Sequence, residues 1–192
     1  MAVTAVVFDV GETLIDETGM WERAAHSAGV PAFTLMGVLG GLAARGEHHN
    51  DAWEILGVEH PASTWDGAEF YPDALPCLDR LRAGGFRVAA VGNTPAETEE
   101  MLRGHIDVLG SSGRWGIEKP APEFFERVAS AIDLPPGEIA YVGDRVDNDV
   151  APALAAGMVA VHVRRGPWGY LHAPPPGAIR IDSLDELPEA LP

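Results

Sequence analysis

Five short apolar runs, each breaking off at a polar cluster, set the tightest limit on how this chain folds. They are Thr4-Ala-Val-Val-Phe8, Phe86-Arg-Val-Ala-Ala-Val91, Ile139-Ala-Tyr-Val142, Val159-Ala-Val-His-Val163 and Ala178-Ile-Arg-Ile181. Runs this short and this rich in β-branched residues predict strands buried on both faces. Helical patterns lie between them. Leu75, Leu78 and Leu81 fall on one stripe that stops at Gly84-Gly85. Phe124, Phe125, Val128 and Ile132 form a second stripe behind Pro120-Ala-Pro122, which puts proline in a first turn. Val150 to Ala156 reads as a third helix closed by Gly157, and 182–191 as a short amphipathic helix behind the stiff Pro174-Pro-Pro176 spacer. Strands alternating with helices predict an α/β fold, a doubly wound parallel sheet with right-handed crossovers.

The stretch 16–70 breaks this rhythm. It offers no convincing strand, and its apolar residues (Trp21, Leu35, Leu39, Leu42, Trp53, Leu56) suit short helices punctuated by glycine. The chain has 192 residues, enough for one domain with a modest insertion. The expected division is therefore a core of 1–15 and 71–192 and a small helical cap of 16–70. An ordinary long crossover is the alternative.

Charge and composition narrow the chemistry. Twenty-nine acids against 13 bases give a net charge of −16, which repels phosphodiester backbones and argues against a nucleic-acid partner. No apolar run approaches the length of a membrane span, and the first residues lack the basic start of a secretion signal. The single cysteine, Cys77, has leucine neighbours at helical spacing and reads as an inert core thiol; a reducing cytoplasm is the expected setting. Twelve of the 13 bases are arginine, so any step that needs an amine has one candidate, Lys119.

In an open parallel sheet, ligands bind where the strands end. The clusters at those ends are Asp9-Val-Gly-Glu-Thr-Leu14, Gly92-Asn-Thr-Pro95, Gly116-Ile-Glu-Lys-Pro120 and Gly143-Asp-Arg-Val-Asp-Asn-Asp149. They would bring Asp9, Asp144 and Asp149 together with Lys119. Carboxylates so close repel one another unless a cation sits between them, and hard oxygen donors suit Mg²⁺. An ammonium beside them would steady a nucleophilic carboxylate and an anionic substrate.

These four pieces, in this order, resemble the motifs of the haloacid dehalogenase-like hydrolase superfamily. Phe8-Asp-Val-Gly-Glu-Thr-Leu14 is similar to its first motif, Val91-Gly-Asn-Thr94 occupies the second, Lys119-Pro120 the third, and Gly143-Asp144 with Asp149 the fourth. The stretch after the first motif resembles a reduced first-position cap, and Tyr71-Pro-Asp-Ala-Leu75 the return to the core. The resemblance implies a Rossmann-like core and hydrolysis of small phosphate esters. Asp9 would be the nucleophile that forms an aspartyl-phosphate, with Lys119 as its charge partner. Mg²⁺ would be held by Asp9, the Gly11 carbonyl, Asp144 and Asp149. Thr13, Asn93 and Thr94 would bind the substrate.

Two positions depart from that pattern. The family's phosphatases carry an aspartate acid–base two residues after the nucleophile, where this chain has Gly11. Loss of such a group usually costs about 10²–10⁴ in rate. Aryl phosphates should then react faster than alkyl phosphates, and Gly11→Asp should restore the latter. Glu12 is adjacent but points elsewhere from its place on the loop. The second motif's hydroxyl appears as Gly92, which leaves Asn93 and Thr94 as donors. A metal-independent 2-haloacid dehalogenase and a non-catalytic binding protein on the same fold therefore stand as alternatives. A phosphonate-cleaving relative would need a cap lysine, and 16–70 has none. His48 and His49 read as a solvated helix start and Trp168 and Tyr170 as a loop on the core. Arg23 and Arg45 are the cap's bases for reading an anion, and an arginine of Arg164-Arg165 meeting substrate is a minor option.

Overall fold

The computed structural model describes residues 2–62, 65 and 68–192. Strand β1 (Ala5–Phe8) leads through a tight loop to β2 (Ile15–Asp16) and then to helices α1 (Thr18–Ser27), α2 (Ala32–Arg45) and α3 (Asp51–Leu56). Strand β3 (Glu69–Phe70) brings the chain back to α4 (Ala74–Ala83). The order continues with β4 (Arg87–Gly92), α5 (Thr98–Leu102), β5 (Val108–Ser111), α6 (Ser112–Trp115) and α7 (Pro122–Ile132). It ends with β6 (Ile139–Gly143), α8 (Ala151–Ala155), β7 (Val159–Val163), α9 (Gly166–Leu171), β8 (Ile179–Ile181) and α10 (Leu187–Ala190).

Six of these strands form one parallel sheet in the order β5-β4-β1-β6-β7-β8. The chain starts in the middle and winds outward to each side, so β1 lies at the switch point between β4 and β6. The doubly wound expectation holds. All four residues of β1 are buried, and the pleat divides them between two layers. Val6 and Phe8 pack with Leu78 and Leu81 of α4, while Ala5 and Val7 pack with Phe124, Phe125 and Val128 of α7. Cys77 lies in the first of these layers, and burial pushes its thiol up to about 12, so it is inert as expected.

Strand β5 was not expected from the sequence. Only Val108 and Leu109 precede Gly110 and Ser111 there, and an edge strand needs no longer apolar run. The stretch read as free of strand is also closed by one. Ile15 and Asp16 pair antiparallel with Phe70 and Glu69, tying the two ends of the helical insertion together above the end of β1. The insertion has its own apolar cluster, built from Ala25, Leu35, Leu39, Leu42 and Trp53. Trp168 belongs to that cluster, not to the core, and its segment is helix α9 where a loop was expected. Among the described residues, no single helix is long and apolar enough to cross a membrane.

Candidate active site

The C-terminal ends of β1 and β6 bring the acids together. Asp9 follows β1, and its backbone N–H donates to Val142 O at 2.8 Å, which fixes it beside β6. Asp144 follows β6 directly, and Asp149 lies one π-helical turn further on, in Val146–Val150. One carboxylate oxygen from each of the three lies within 4.8 Å of the others. Lys119 enters from the segment before α7, with Nζ 2.6 Å from Asp9 Oδ1 and 2.6 Å from Asp149 Oδ1. All four side chains are buried. Asp149 Oδ2 also accepts from the Arg145 N–H at 3.1 Å. Asn93 clamps the backbone of Lys119 from both sides: Oδ1 accepts from its N–H at 2.8 Å, and Nδ2 donates to its carbonyl at 2.9 Å. Two glycines give the acids room, because a Cβ on Gly92 would lie 2.8 Å from Asp9 Oδ1 and one on Gly143 2.4 Å from Asp149 Cγ.

The electrostatics of this cluster favour a cation. Burial, then the charges of Asp149 and Asp9, lift Asp144 well above the usual carboxylate range. Burial and Asp9 lift Asp149 to about 7, with Lys119 pulling the other way. Burial opposes the charge on Lys119, but Asp149 and Asp9 outweigh it and hold the ammonium well above the usual lysine range. One ammonium faces three carboxylates, and among the described residues Asp144 has no ion-pair partner. Three hard oxygen donors with excess negative charge fit a divalent cation such as Mg²⁺.

A further carboxylate reaches the site from the insertion. An ideal Cβ on Gly11 would lie 2.1 Å from Glu17 Oε1 and 2.8 Å from Glu17 Cδ, so Glu17 already fills the space of a residue-11 side chain. Its other oxygen accepts from Trp21 Nε1 at 3.2 Å. Burial and the nearby Glu12 charge push Glu17 up to about 8, and Asp9 adds to the effect. Glu12 lines the same cavity as Glu17, but both oxygens of its carboxylate are engaged. With φ of 50°, it places Oε1 on the Glu17 N–H at 3.0 Å and Oε2 on the Tyr71 hydroxyl at 2.7 Å. These groups open onto a cavity of about 540 Å³ whose floor includes Asp9, Asp144 and Lys119 and whose roof includes Trp21, Met36, Leu39, His49 and Trp168.

A model of the haloacid dehalogenase-like hydrolase family matches residues 3–157, a span that contains every residue of this cluster. The chain belongs to that family. The chain is 39% identical over 104 residues to a glyceraldehyde 3-phosphate phosphatase of Methanopyrus kandleri, covering 51% of the chain and 45% of the relative. It is 37% identical over 102 residues to a phosphoserine phosphatase of Thermus thermophilus (50% and 41%). Over 132 residues it is 32% identical to (S)-2-haloacid dehalogenase 1 of a Pseudomonas species (63% and 56%). The chain thus spans about half the length of these curated relatives. Among solved structures, a dehalogenase superposes with a TM-score of 0.77 at 22% identity, covering 98% of this chain and 97% of the other. An HAD phosphatase from Thermococcus onnurineus gives 0.67 at 22% identity, covering 97% of each. These two likenesses establish the fold.

Of the residues expected from the sequence, Asp9, Lys119, Asp144 and Asp149 meet in one cluster, with Gly11, Asn93 and Thr94 also lining the cavity. Asn93 differs from its expected role in that both ends of its carboxamide hold Lys119. Thr13 is a correction. It is fully buried outside the cavity wall, and its carbonyl accepts from Arg165 Nη1 at 2.7 Å, because the loop folds inward at this point. Arg165 is anchored by Asp73 and stacks on Tyr71, while Arg164 pairs with Asp182; the arginine on the cavity wall is Arg145. Arg45 pairs with Glu47 away from the cavity. His49 is a second correction, since it packs against Trp21 and Trp168 on the cavity roof instead of facing solvent. Burial and the nearby His48 and Arg145 charges push it down to about 4, so it is neutral at pH 7. Nothing in the sequence around Glu17 marked it. The one available signal was Gly11, a hole that some other side chain had to fill.

Proposed function

We propose that this hydrolase cleaves small phosphate esters with Mg²⁺, through an aspartyl-phosphate on Asp9. The observation that carries the reading is the Lys119 ammonium, 2.6 Å from both Asp9 and Asp149, with Asp144 alongside at the floor of the cavity. Asp9 attacks phosphorus in line with the leaving oxygen, and the second half-reaction returns its carboxylate when water displaces phosphate. Lys119 holds Asp9 oriented and offsets charge on the phosphoryl oxygens. Asp149 fixes Lys119, and Asn93 fixes the backbone that carries it. Mg²⁺, held by Asp9, Asp144 and Asp149, would supply Lewis-acid stabilisation of the transferring group. Thr94 on the cavity wall offers a hydroxyl for the phosphoryl oxygens. The helical insertion acts as the cap that roofs the substrate. Relatives named as phosphatases of glyceraldehyde 3-phosphate and phosphoserine favour substrates of that size.

A dehalogenase reading has one observation in its favour, the missing carboxyl at Gly11, together with the relative named for that activity. Three clustered acids with a single ammonium weigh against it, because a metal-free site has no use for the excess charge. A panel of phosphate esters and 2-chloroacids, each with Mg²⁺ and with EDTA, separates the two. Phosphate release that stops in EDTA is expected. Halide release that persists in EDTA, or silence on every phosphate ester, would overturn the proposal.

A further inference from the structure

We propose that Glu17 is the acid–base residue of this hydrolase, its carboxyl reaching from the start of α1 into the space that a residue-11 side chain would fill. The inference rests on the phosphatase reading above. Its geometry is a substitution in space: the Gly11 Cβ position and Glu17 Oε1 are 2.1 Å apart, so the chain holds a glycine at 11 and a carboxyl at 17 or it must rearrange. Two contacts make Glu17 a placed group. Its N–H is held by Glu12 Oε1 at 3.0 Å, and Oε2 is held by Trp21 Nε1 at 3.2 Å. Oε1 faces Gly11 on the wall of the cavity that Asp9 and Lys119 also line. The neighbouring carboxylate, Glu12, has both oxygens engaged by Tyr71 and by the Glu17 N–H, and its stem presses against Gly166.

Asp9 forms its bond to phosphorus while the bond to the leaving oxygen breaks, the electron pair going to that oxygen. The Glu17 carboxyl gives this oxygen its proton, and the alcohol departs. Glu17, now a carboxylate, takes a proton from water as the water oxygen bonds to phosphorus. The pair of the broken P–O bond returns to Asp9, and Glu17 is protonated again.

The same geometry changes the outlook for Gly11→Asp, which meets Glu17 and gains nothing alone. The test compares kcat/KM, which reports the step that forms the phosphoenzyme, for p-nitrophenyl phosphate and n-propyl phosphate in Mg²⁺. Nitrophenolate leaves without a proton and propoxide does not. Glu17→Gln keeps an acceptor for Trp21, and it should lose about 10²–10⁴ on propyl phosphate but about tenfold or less on the aryl ester. In Glu17→Ala the space is vacated, and adding Gly11→Asp should recover propyl phosphate turnover by at least about tenfold. Thermal melts check that each variant is folded. An equal loss on both esters, or a folded double variant with no recovery, would overturn the role of Glu17 and leave the phosphatase reading intact. A wild type silent on both esters would overturn the two together.

Discussion

Replacing Lys119 with methionine keeps the length of the side chain and removes the ammonium that Asp9 and Asp149 share at 2.6 Å each. Asp149 is fully buried and Lys119 is 3% exposed, so water does little to screen what remains. Breaking a buried ion pair by removing one partner costs about 3–5 kcal/mol. In a domain of this size each kcal/mol moves the melting midpoint by about 2–4 °C, so the variant should melt roughly 6–20 °C below wild type. The loss must also depend on pH. Asp149 is already lifted from 3.8 to about 7 by burial and Asp9, with Lys119 pulling downward. Between those values the folded state holds a proton that the unfolded state has lost, so stability falls as pH rises. Without Lys119 the upper limit of that window moves above 7, and the deficit of the variant is larger at pH 8 than at pH 6. Calorimetric melts in EDTA at the two pH values measure both effects. A variant within about 1 kcal/mol of wild type at pH 8, or an equal deficit at both pH values, would refute the reasoning.

Asp144→Asn removes one of three crowded carboxylates, so it should melt above wild type in EDTA. Mg²⁺ at about 100 times Kd should stabilise wild type by about 2.7 kcal/mol and the variant far less; equal shifts in Tm would remove Asp144 from the metal site. Glu17→Gln should be more stable than wild type by about 1–3 kcal/mol at pH 9 and close to it at pH 4. The sign follows from a carboxyl lifted to about 8, whose cost in the folded state grows as pH climbs from 4.5. Chemical denaturation across that range checks it, and a gap that does not widen with pH counts against it. Asn93→Ala loses two hydrogen bonds to the Lys119 backbone, and phosphatase turnover should fall about tenfold for a stability loss of about 1–3 kcal/mol. Turnover unchanged by this substitution would show that Lys119 needs no clamp.

The sequence by itself determined the sheet and the acid cluster. Buried parallel strands must be written as short apolar runs, and a doubly wound sheet must gather their C-terminal ends. Asp9, Asp144 and Asp149 were therefore legible from their places after those runs, and Lys119 as the single lysine of the chain. Where the constraint was weaker, the text was silent. Edge strand β5 needs only Val108 and Leu109, and the β2–β3 ribbon is set by two residues on each side that meet across the whole insertion. Thr13 reads like a site residue within its motif, yet the turn of the loop puts it behind the wall. The cavity roof was illegible for the same reason, since His49 and Trp168 lie more than a hundred residues apart and meet only when α9 packs on the insertion. Glu17 is the clearest case. A sequence shows that Gly11 lacks a side chain, but which carboxyl fills the vacant volume depends on how α1 leaves the ribbon, and that is decided by packing in three dimensions.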